Sequence, residues 1–341
     1  MKTLLITGGA GYIGSHTIIE LLENTDFNVI SVDNFSNSSS KTFERIEKIT
    51  GKKVHNYNID CCNKKELETI FEKEQSIIGI IHFAAFKSVP ESVSNPYKYY
   101  HNNINSLLNV LECCLKYAVT NFIFSSSCSV YGNINSLPVR EDTPLGKAES
   151  PYAYTKQAGE ELIKDYSRAF PQLQCIALRY FNPVGAHVSG LIGEDPINPP
   201  VNLVPVITET AIGKRNSMNV FGDDYNTRDG SCIRDYIHVT DIAIAHIKAM
   251  ELIISKHQKN NYSVFNLGTG NGVSVLETIA AFEKIAKQKL NYIIVPKRAG
   301  DISAIYSDTT LSEKVLKWKP KFKLEAMMES AWKWQLQQQK Q

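Results

Sequence analysis

Apolar residues along this chain alternate between short unbroken runs and longer segments of helical spacing. Leu4-Leu5-Ile6, Val29-Ile30 with Val32, Ile77 to Phe83, Asn121 to Ser125 and Cys175 to Tyr180 have the length and continuity of strands covered on both faces. Between them, Thr17 to Leu22, Asn63 to Glu74, Asn95 to Tyr117 and Tyr152 to Phe170 place apolar residues as helices lying on a sheet do. This alternation predicts an α/β fold built on a doubly wound parallel sheet. From Asn182 the texture changes: Pro183, Gly185, Gly190, Gly193, Pro196, Pro199 and Pro200 interrupt any periodicity, which predicts an irregular segment leaving the first layer. Shorter elements follow, with helical spacing at Ala243 to Ile254 and Ser274 to Lys287.

The first apolar run leads directly into Gly8, Gly11 and Gly14, and a helical pattern begins at once behind them. Strand, glycine turn and helix in that order form a Rossmann-type dinucleotide site, in which the turn brings a pyrophosphate onto the helix N-terminus. The second run ends in Asp33, nineteen residues beyond Gly14. A carboxylate there accepts hydrogen bonds from a ribose 2′-hydroxyl and repels a 2′-phosphate, so the expected cofactor is NAD and not NADP. Ligands of such sheets lie outside the carboxyl ends of the strands, here Asp33, Asp60, Phe83 to Lys87, Ser125 to Ser127 and Tyr180 to Asn182.

Composition narrows the class. With 43% hydrophobic and 21% charged residues over 341 positions, the chain is an ordinary globular protein, long enough for one large domain and a smaller partner. A net charge of +2 falls short of a nucleic-acid footprint, and the basic run from Lys314 to Lys323 is interrupted by Val315, Leu316, Trp318, Pro320 and Phe322. No signal peptide or membrane-length apolar stretch is present, so no membrane partner is expected. Seven cysteines without a framework spacing read as reduced thiols, which predicts a cytoplasmic protein, and eight scattered histidines predict no metal site.

Candidate chemistry lies at Ser127, which closes the fourth run, and at Tyr152 and Lys156, which share a helix face four residues apart. A free tyrosine ionises near ~10, and poising it as a base at neutral pH requires roughly 4 kcal/mol of preferential phenolate stabilisation. The Lys156 ammonium and a positive nicotinamide ring are the expected sources. Ser127 would hold a substrate hydroxyl, Tyr152 would take its proton, and hydride would leave the same carbon. Tyr154 has Ala158 four residues on, so no cation is placed above it.

Thr7 to Gly14, Asp33-Asn34, the serine run followed by Val130-Tyr131-Gly132, and Tyr152 with Lys156 resemble the extended short-chain dehydrogenase/reductase family. Arg179 to His187, Asn202-Leu203, Phe221 to Tyr225, Asp229-Gly230, Arg234 to Val239 and Arg298-Ala299-Gly300-Asp301 are similar to its members that act on UDP-hexoses. The resemblance spans essentially the whole chain. It implies an NAD-binding Rossmann domain over residues 1–183 with a return segment at about 233–268, and a mixed α/β UDP-sugar domain from 184–232 and 269–341. It also implies that Tyr12 and Ile13 of the glycine turn, Asn34, Asp60, the Cys61 backbone, Phe83, Ala84 and Lys87 line the cofactor, with Asn102 near the pyrophosphate and Tyr180 near the nicotinamide. Asn182, Asn202, Phe221, Arg234, Arg298 and Asp301 would hold the sugar nucleotide, guanidinium groups suiting diphosphate and the carboxylate ribose hydroxyls.

The activity so implied is inversion at C4 of UDP-galactose and UDP-glucose through a 4-keto intermediate, with NAD tightly held and not consumed, in a homodimer paired through the Asn95–Tyr117 and Tyr152–Phe170 helices. Two alternatives remain: a nucleotide-sugar 4,6-dehydratase, for which Ser127-Cys128-Ser129 supplies no carboxylic acid, and a non-catalytic NAD-sensing regulator, which has no need of Ser127, Tyr152 and Lys156 together. The chain departs from the family pattern at Ile305, often a tyrosine that narrows the sugar pocket, and at Cys232, most often glycine. Ile305 leaves N-acetylated hexoses open beside the favoured plain hexose.

Overall fold

A computed structural model describes residues 2–134, 136–258, 260–298 and 301–340. In chain order, the first half comprises β1 (Thr3–Thr7), α1 (Tyr12–Asn24), β2 (Asn28–Val32), α2 (Lys41–Thr50), β3 (His55–Tyr57), α3 (Lys64–Lys73), β4 (Ile77–His82), α4 (Val89–Ser94), α5 (Pro96–Lys116), β5 (Asn121–Ser127), α6 (Pro151–Ala169) and β6 (Gln174–Tyr180). The second half comprises β7 (Asn182–Val184), α7 (Leu203–Ala211), β8 (Met218–Phe221), β9 (Ile233–His238), α8 (Val239–Ile254), β10 (Tyr262–Leu267), β11 (Gly272–Ser274), α9 (Val275–Ala286), β12 (Tyr292–Val295), β13 (Ala304–Ile305), α10 (Thr310–Leu316) and α11 (Leu324–Gln338).

Seven strands form one parallel sheet in the order β10-β6-β5-β4-β1-β2-β3. Chain direction through the sheet reverses between β1 and β4, so their carboxyl ends open the crevice in which such sheets take ligands. One face is sealed by Ile18, Ile19 and Leu21 of α1 with Ile242, Ala245 and Ile253 of α8. Leu67, Ile70, Leu107, Val110 and Ile163 from α3, α5 and α6 seal the other. Burial from both sides explains why the strands read as continuous apolar runs instead of alternating ones.

The helix starts carry their own chemical cause. Asn63, Asn95 and Ser150 each accept a backbone N–H of the first turn with their side chain, and proline follows directly at Pro96 and Pro151. At α9 the Ser274 and Glu277 side chains and backbone groups satisfy each other reciprocally. The basic run after α10 folds back on the large layer, where Trp318 is buried and donates to the Asp241 carbonyl.

A second, smaller body packs α7, α9 and α11 around Ile207, Phe282, Met327 and Met328, beside the short sheet β11-β9-β13 with β7 on β9 and the pair β8-β12. Within the 233–268 segment, β9 pairs with β7, β11 and β13, while β10 adds to the edge of the large sheet against β6. The chain therefore re-enters the large layer at α8, because β9 has already found its ladder partners in the smaller one.

Candidate active site

Three cavities meet along the carboxyl ends of the large sheet. The first is lined by Gly8, Gly11, Asp33, Asn34, Asp60, Cys61, Phe83, Ala84 and Asn102. The second, of about 340 Å³, shares Gly8, Gly11 and Phe83 with it and adds Tyr12, Ile13, Gly14, Lys87, Ser127, Tyr152, Lys156, Tyr180, Asn182 and Asn202. The third, of about 440 Å³, shares Asn182 and Asn202 with the second and adds Phe221, Arg234, Arg298 and Asp301. The candidate catalytic, cofactor and sugar-nucleotide residues named from the sequence thus line three adjoining cavities. Ala299 and Gly300 of the Arg-Ala-Gly-Asp element lie outside the described residues.

The glycine turn fits a dinucleotide on steric grounds. Gly8 has φ +72°, and a Cβ there would stand 2.8 Å from the Ala84 nitrogen at the end of β4. A Cβ on Gly14 would come within 2.3 Å of the Gly8 carbonyl oxygen, so the helix closes on the turn only because both are bare. Gly11 caps α1 with no side-chain acceptor, leaving the positive end of the helix free for an anion. Asp33 is buried and its carboxylate accepts from the Ala10 N–H at 2.9 Å, the Phe35 N–H at 2.9 Å and the Ser38 hydroxyl at 2.7 Å. A carboxylate has about four lone-pair sites, so one remains for a ribose hydroxyl. Asn34 and Asp60 act within their own turns, accepting from the Ser36 and Cys62 N–H groups.

Lys156 is buried, and its ammonium donates to the Ser125 carbonyl at 2.6 Å while lying 5.9 Å from the Tyr152 ring centre. Burial pulls its pKa down to about 7, against the opposing field of Glu160. Burial pushes the Tyr152 phenol up to about 12, countered in part by the Ser127 hydroxyl. Burial thus favours the neutral phenol of Tyr152, and its ionisation calls for added positive charge. Ser127 Oγ accepts the Ser129 N–H at 3.2 Å. Tyr180 shares a 2.6 Å hydrogen bond with His246 beneath the cleft, which turns its hydroxyl into the core and its ring edge toward the cavity.

In the third cavity the Arg298 guanidinium makes a two-bond pair with Asp301, at 3.0 and 3.2 Å, and lies 4.4 Å over the Phe221 ring. Arg234 donates to the carbonyls of Ile233 and Ile302. Asn182 lines both of the larger cavities, and its Oδ1 is buried without a hydrogen-bond partner. Among the described residues, no cluster of histidine, cysteine and carboxylate side chains is arranged to hold a metal.

Residues 5–331 match the family model described as GDP-mannose 4,6 dehydratase. Among curated relatives, the chain is 47% identical to UDP-glucose 4-epimerase of Dictyostelium discoideum, over 97% of this chain and 95% of that one. The Bifidobacterium longum UDP-glucose 4-epimerase, solved in complex with NAD+ and UDP, superposes with a TM-score of 0.93 at 46% identity, covering 98% of each chain. The Stenotrophomonas maltophila enzyme, solved with NAD and formylated UDP-arabinopyranose, gives a TM-score of 0.96 at 40% identity over 100% of this chain and 99% of that one. The chain belongs to the UDP-glucose 4-epimerase family.

For a member of that family, the serine run is informative in what it omits. Ser127-Cys128-Ser129 places no carboxyl group in the second cavity beside Tyr152, where elimination of water would call for an acid. Ile305 is buried with Val130, Tyr131, Val139 and Phe181, and Cys128 packs against the same cluster. It thus stands behind the cleft wall. Cys232 lines the third cavity.

Sequence reasoning missed a buried support beneath the serines. Arg179 pairs with Glu160 through Nε and Nη2 at 2.9 and 2.6 Å, Ser126 donates to the same carboxylate, and Tyr131 connects Arg179 to Asn266. It also missed Arg45, Glu194 and Asp195, which line the second cavity. The only available signal was an adjacent acidic pair inside the glycine- and proline-rich segment, which periodicity cannot place.

Proposed function

We propose that this protein interconverts UDP-galactose and UDP-glucose, with NAD held as a prosthetic group. The observation that carries the reading is that Ser127, Tyr152 and Lys156 line the same cavity as the glycine turn, and that this cavity shares Asn182 and Asn202 with the one holding Arg234, Arg298 and Asp301. NAD, when bound, supplies the acceptor and donor for the hydrogen at C4 of the sugar. Ser127 holds the 4-hydroxyl, Tyr152 takes its proton, and Lys156 stabilises the phenolate so formed. Arg234 and Arg298 pair with the diphosphate, and Asp301 turns from Arg298 to ribose hydroxyls. With the nucleotide fastened at its diphosphate, the 4-keto intermediate can swing about that link and be reduced from the other face.

The same reading extends to assembly and setting. Val93, Tyr97 and Tyr154 are exposed on the α4, α5 and α6 side, an apolar patch suited to homodimer formation through α5 and α6. Seven free thiols support a cytoplasmic setting, and among the described residues no helix is long and apolar enough to cross a membrane. The decisive experiment incubates purified protein, without added NAD, with UDP-galactose and with UDP-N-acetylgalactosamine and identifies products by NMR. UDP-glucose from the first substrate is expected. A 4-keto-6-deoxy product, or no turnover, overturns the reading; the second substrate measures how much room Ile305 leaves.

A further inference from the structure

The irregular segment after β7 lines the second cavity from Ile192 to Pro196, and two adjacent carboxylates in it each meet a cation from the large layer. Glu194 Oε1 accepts from Lys87 Nζ at 2.7 Å, and Asp195 Oδ2 accepts from Arg45 at 2.8 Å. Lys87 follows β4 and Arg45 lies on α2, so the two ion pairs straddle the groove that begins at the glycine turn. On its other side the same dipeptide is anchored to the smaller body. Asn202 donates to Glu194 Oε1 at 2.8 Å, the Trp334 indole to the Glu194 carbonyl at 3.1 Å, and Gln338 to Asp195 Oδ1 at 2.9 Å. Glu194 and Arg45 are largely withdrawn from water, at 11% and 14% side-chain exposure, and Arg45 also lies 4.9 Å over the Trp334 ring. Carboxylates bordering a groove shaped for a diphosphate oppose that ligand's charge unless each is neutralised, and here each is.

We infer that Glu194 and Asp195 are positioning residues that fasten a strap across the bound dinucleotide and so set how slowly NAD leaves. The inference rests on the reading that this cleft holds NAD. A ligand lying along Gly11 to Ile13 passes beneath both pairs, and its exit requires breaking one of them. The strap acts on retention and not on the proton transfer at Tyr152, to which neither carboxylate is bonded. Because the pairs are electrostatic and partly solvated, salt loosens them.

The test measures NAD content by chromatography of acid-released nucleotide during prolonged dialysis of the purified protein. Asp195→Asn is expected to release NAD about fivefold faster than wild type, Glu194→Gln roughly tenfold faster, and the double variant faster than either. Raising the salt concentration should speed release from wild type and have little effect on the double variant. The charge-swapped protein Arg45→Asp with Asp195→Arg should regain slow release, which separates loss of the pair from general damage. Wild type and double variant releasing NAD at the same rate and with the same salt dependence overturns the strap alone. A wild-type protein that neither carries nor takes up NAD overturns the underlying reading and the strap with it.

Discussion

The two halves of the cleft are finished to different degrees. Around the glycine turn, the groups that line the cleft are fixed locally: Gly8 and Gly14 are bare because neighbours occupy the space of a side chain, and Asp33 is held by two donors of its own loop and one of the glycine turn. In the nucleotide-sugar half, the corresponding groups hold provisional partners. Arg298 pairs with Asp301, and Arg234 with the Ile233 and Ile302 carbonyls. A rigid half gives little back when its ligand leaves, which suits a prosthetic group. A half made of exchangeable side-chain pairs recovers part of its hydrogen bonding at each release, which suits a substrate.

The largest expected effect falls between the halves, on the group that serves both. Tyr152→Phe should leave the fold and NAD content intact and lower epimerisation by about 10³-fold or more, as removal of a positioned acid–base group does. Near-normal turnover by NMR would take Tyr152 out of the base role. Arg298→Gln tests the exchangeable half: binding of UDP, followed by calorimetry, should weaken by roughly tenfold, with kcat altered much less. Asp33→Ala tests the fixed half. It should weaken NAD and relax the discrimination against NADP by about tenfold, and it should also lower Tm because the Ala10, Phe35 and Ser38 donors lose their acceptor. An unchanged cofactor preference would remove Asp33 from recognition.

How much of this was legible in the sequence differs between the halves in the same sense. The strand ends, the glycine turn and Asp33 follow one another at local spacings, so the pattern along the chain identifies them. The uridine-nucleotide residues come from separated stretches, and their grouping was accessible only through resemblance to a family. Glu160 and Arg179 are nineteen residues apart on α6 and β6 and carry no periodic signal. Their pairing requires the register of β5 on β6, in which Ser126 stands opposite Arg179.

Lys156 gives a smaller effect with a defined sign. Its folded pKa, about 7, lies below that of an exposed lysine, so the fold disfavours the ammonium. The resulting penalty on stability is full below pH 7 and fades as pH rises toward ~10.4, where the unfolded chain also loses the proton. Lys156→Met should therefore be more stable relative to wild type at pH 7 than at pH 10, with loss of the Ser125 hydrogen bond as a constant offset. A Tm difference independent of pH would show that Lys156 is not perturbed. The smallest effect is expected at Tyr154, which is 53% exposed and meets the Tyr100 ring edge-on. Tyr154→Phe should change turnover less than twofold and stability by within about 0.5 kcal/mol, although it lies two residues from Tyr152.

The sequence by itself determined the doubly wound sheet, the dinucleotide turn and the helix face shared by Tyr152 and Lys156. Each depends on residues close along the chain, where the periods of strand and helix dictate which side chains share a face. Tertiary structure alone decided that β9 pairs in the smaller layer while β10 closes the larger one, and that Asn182 lines two cavities at once. It alone brought Glu194 and Asp195 to Lys87 and Arg45. Those contacts join residues more than a hundred positions apart, through a segment without periodicity, and only the packing of one layer against the other specifies them.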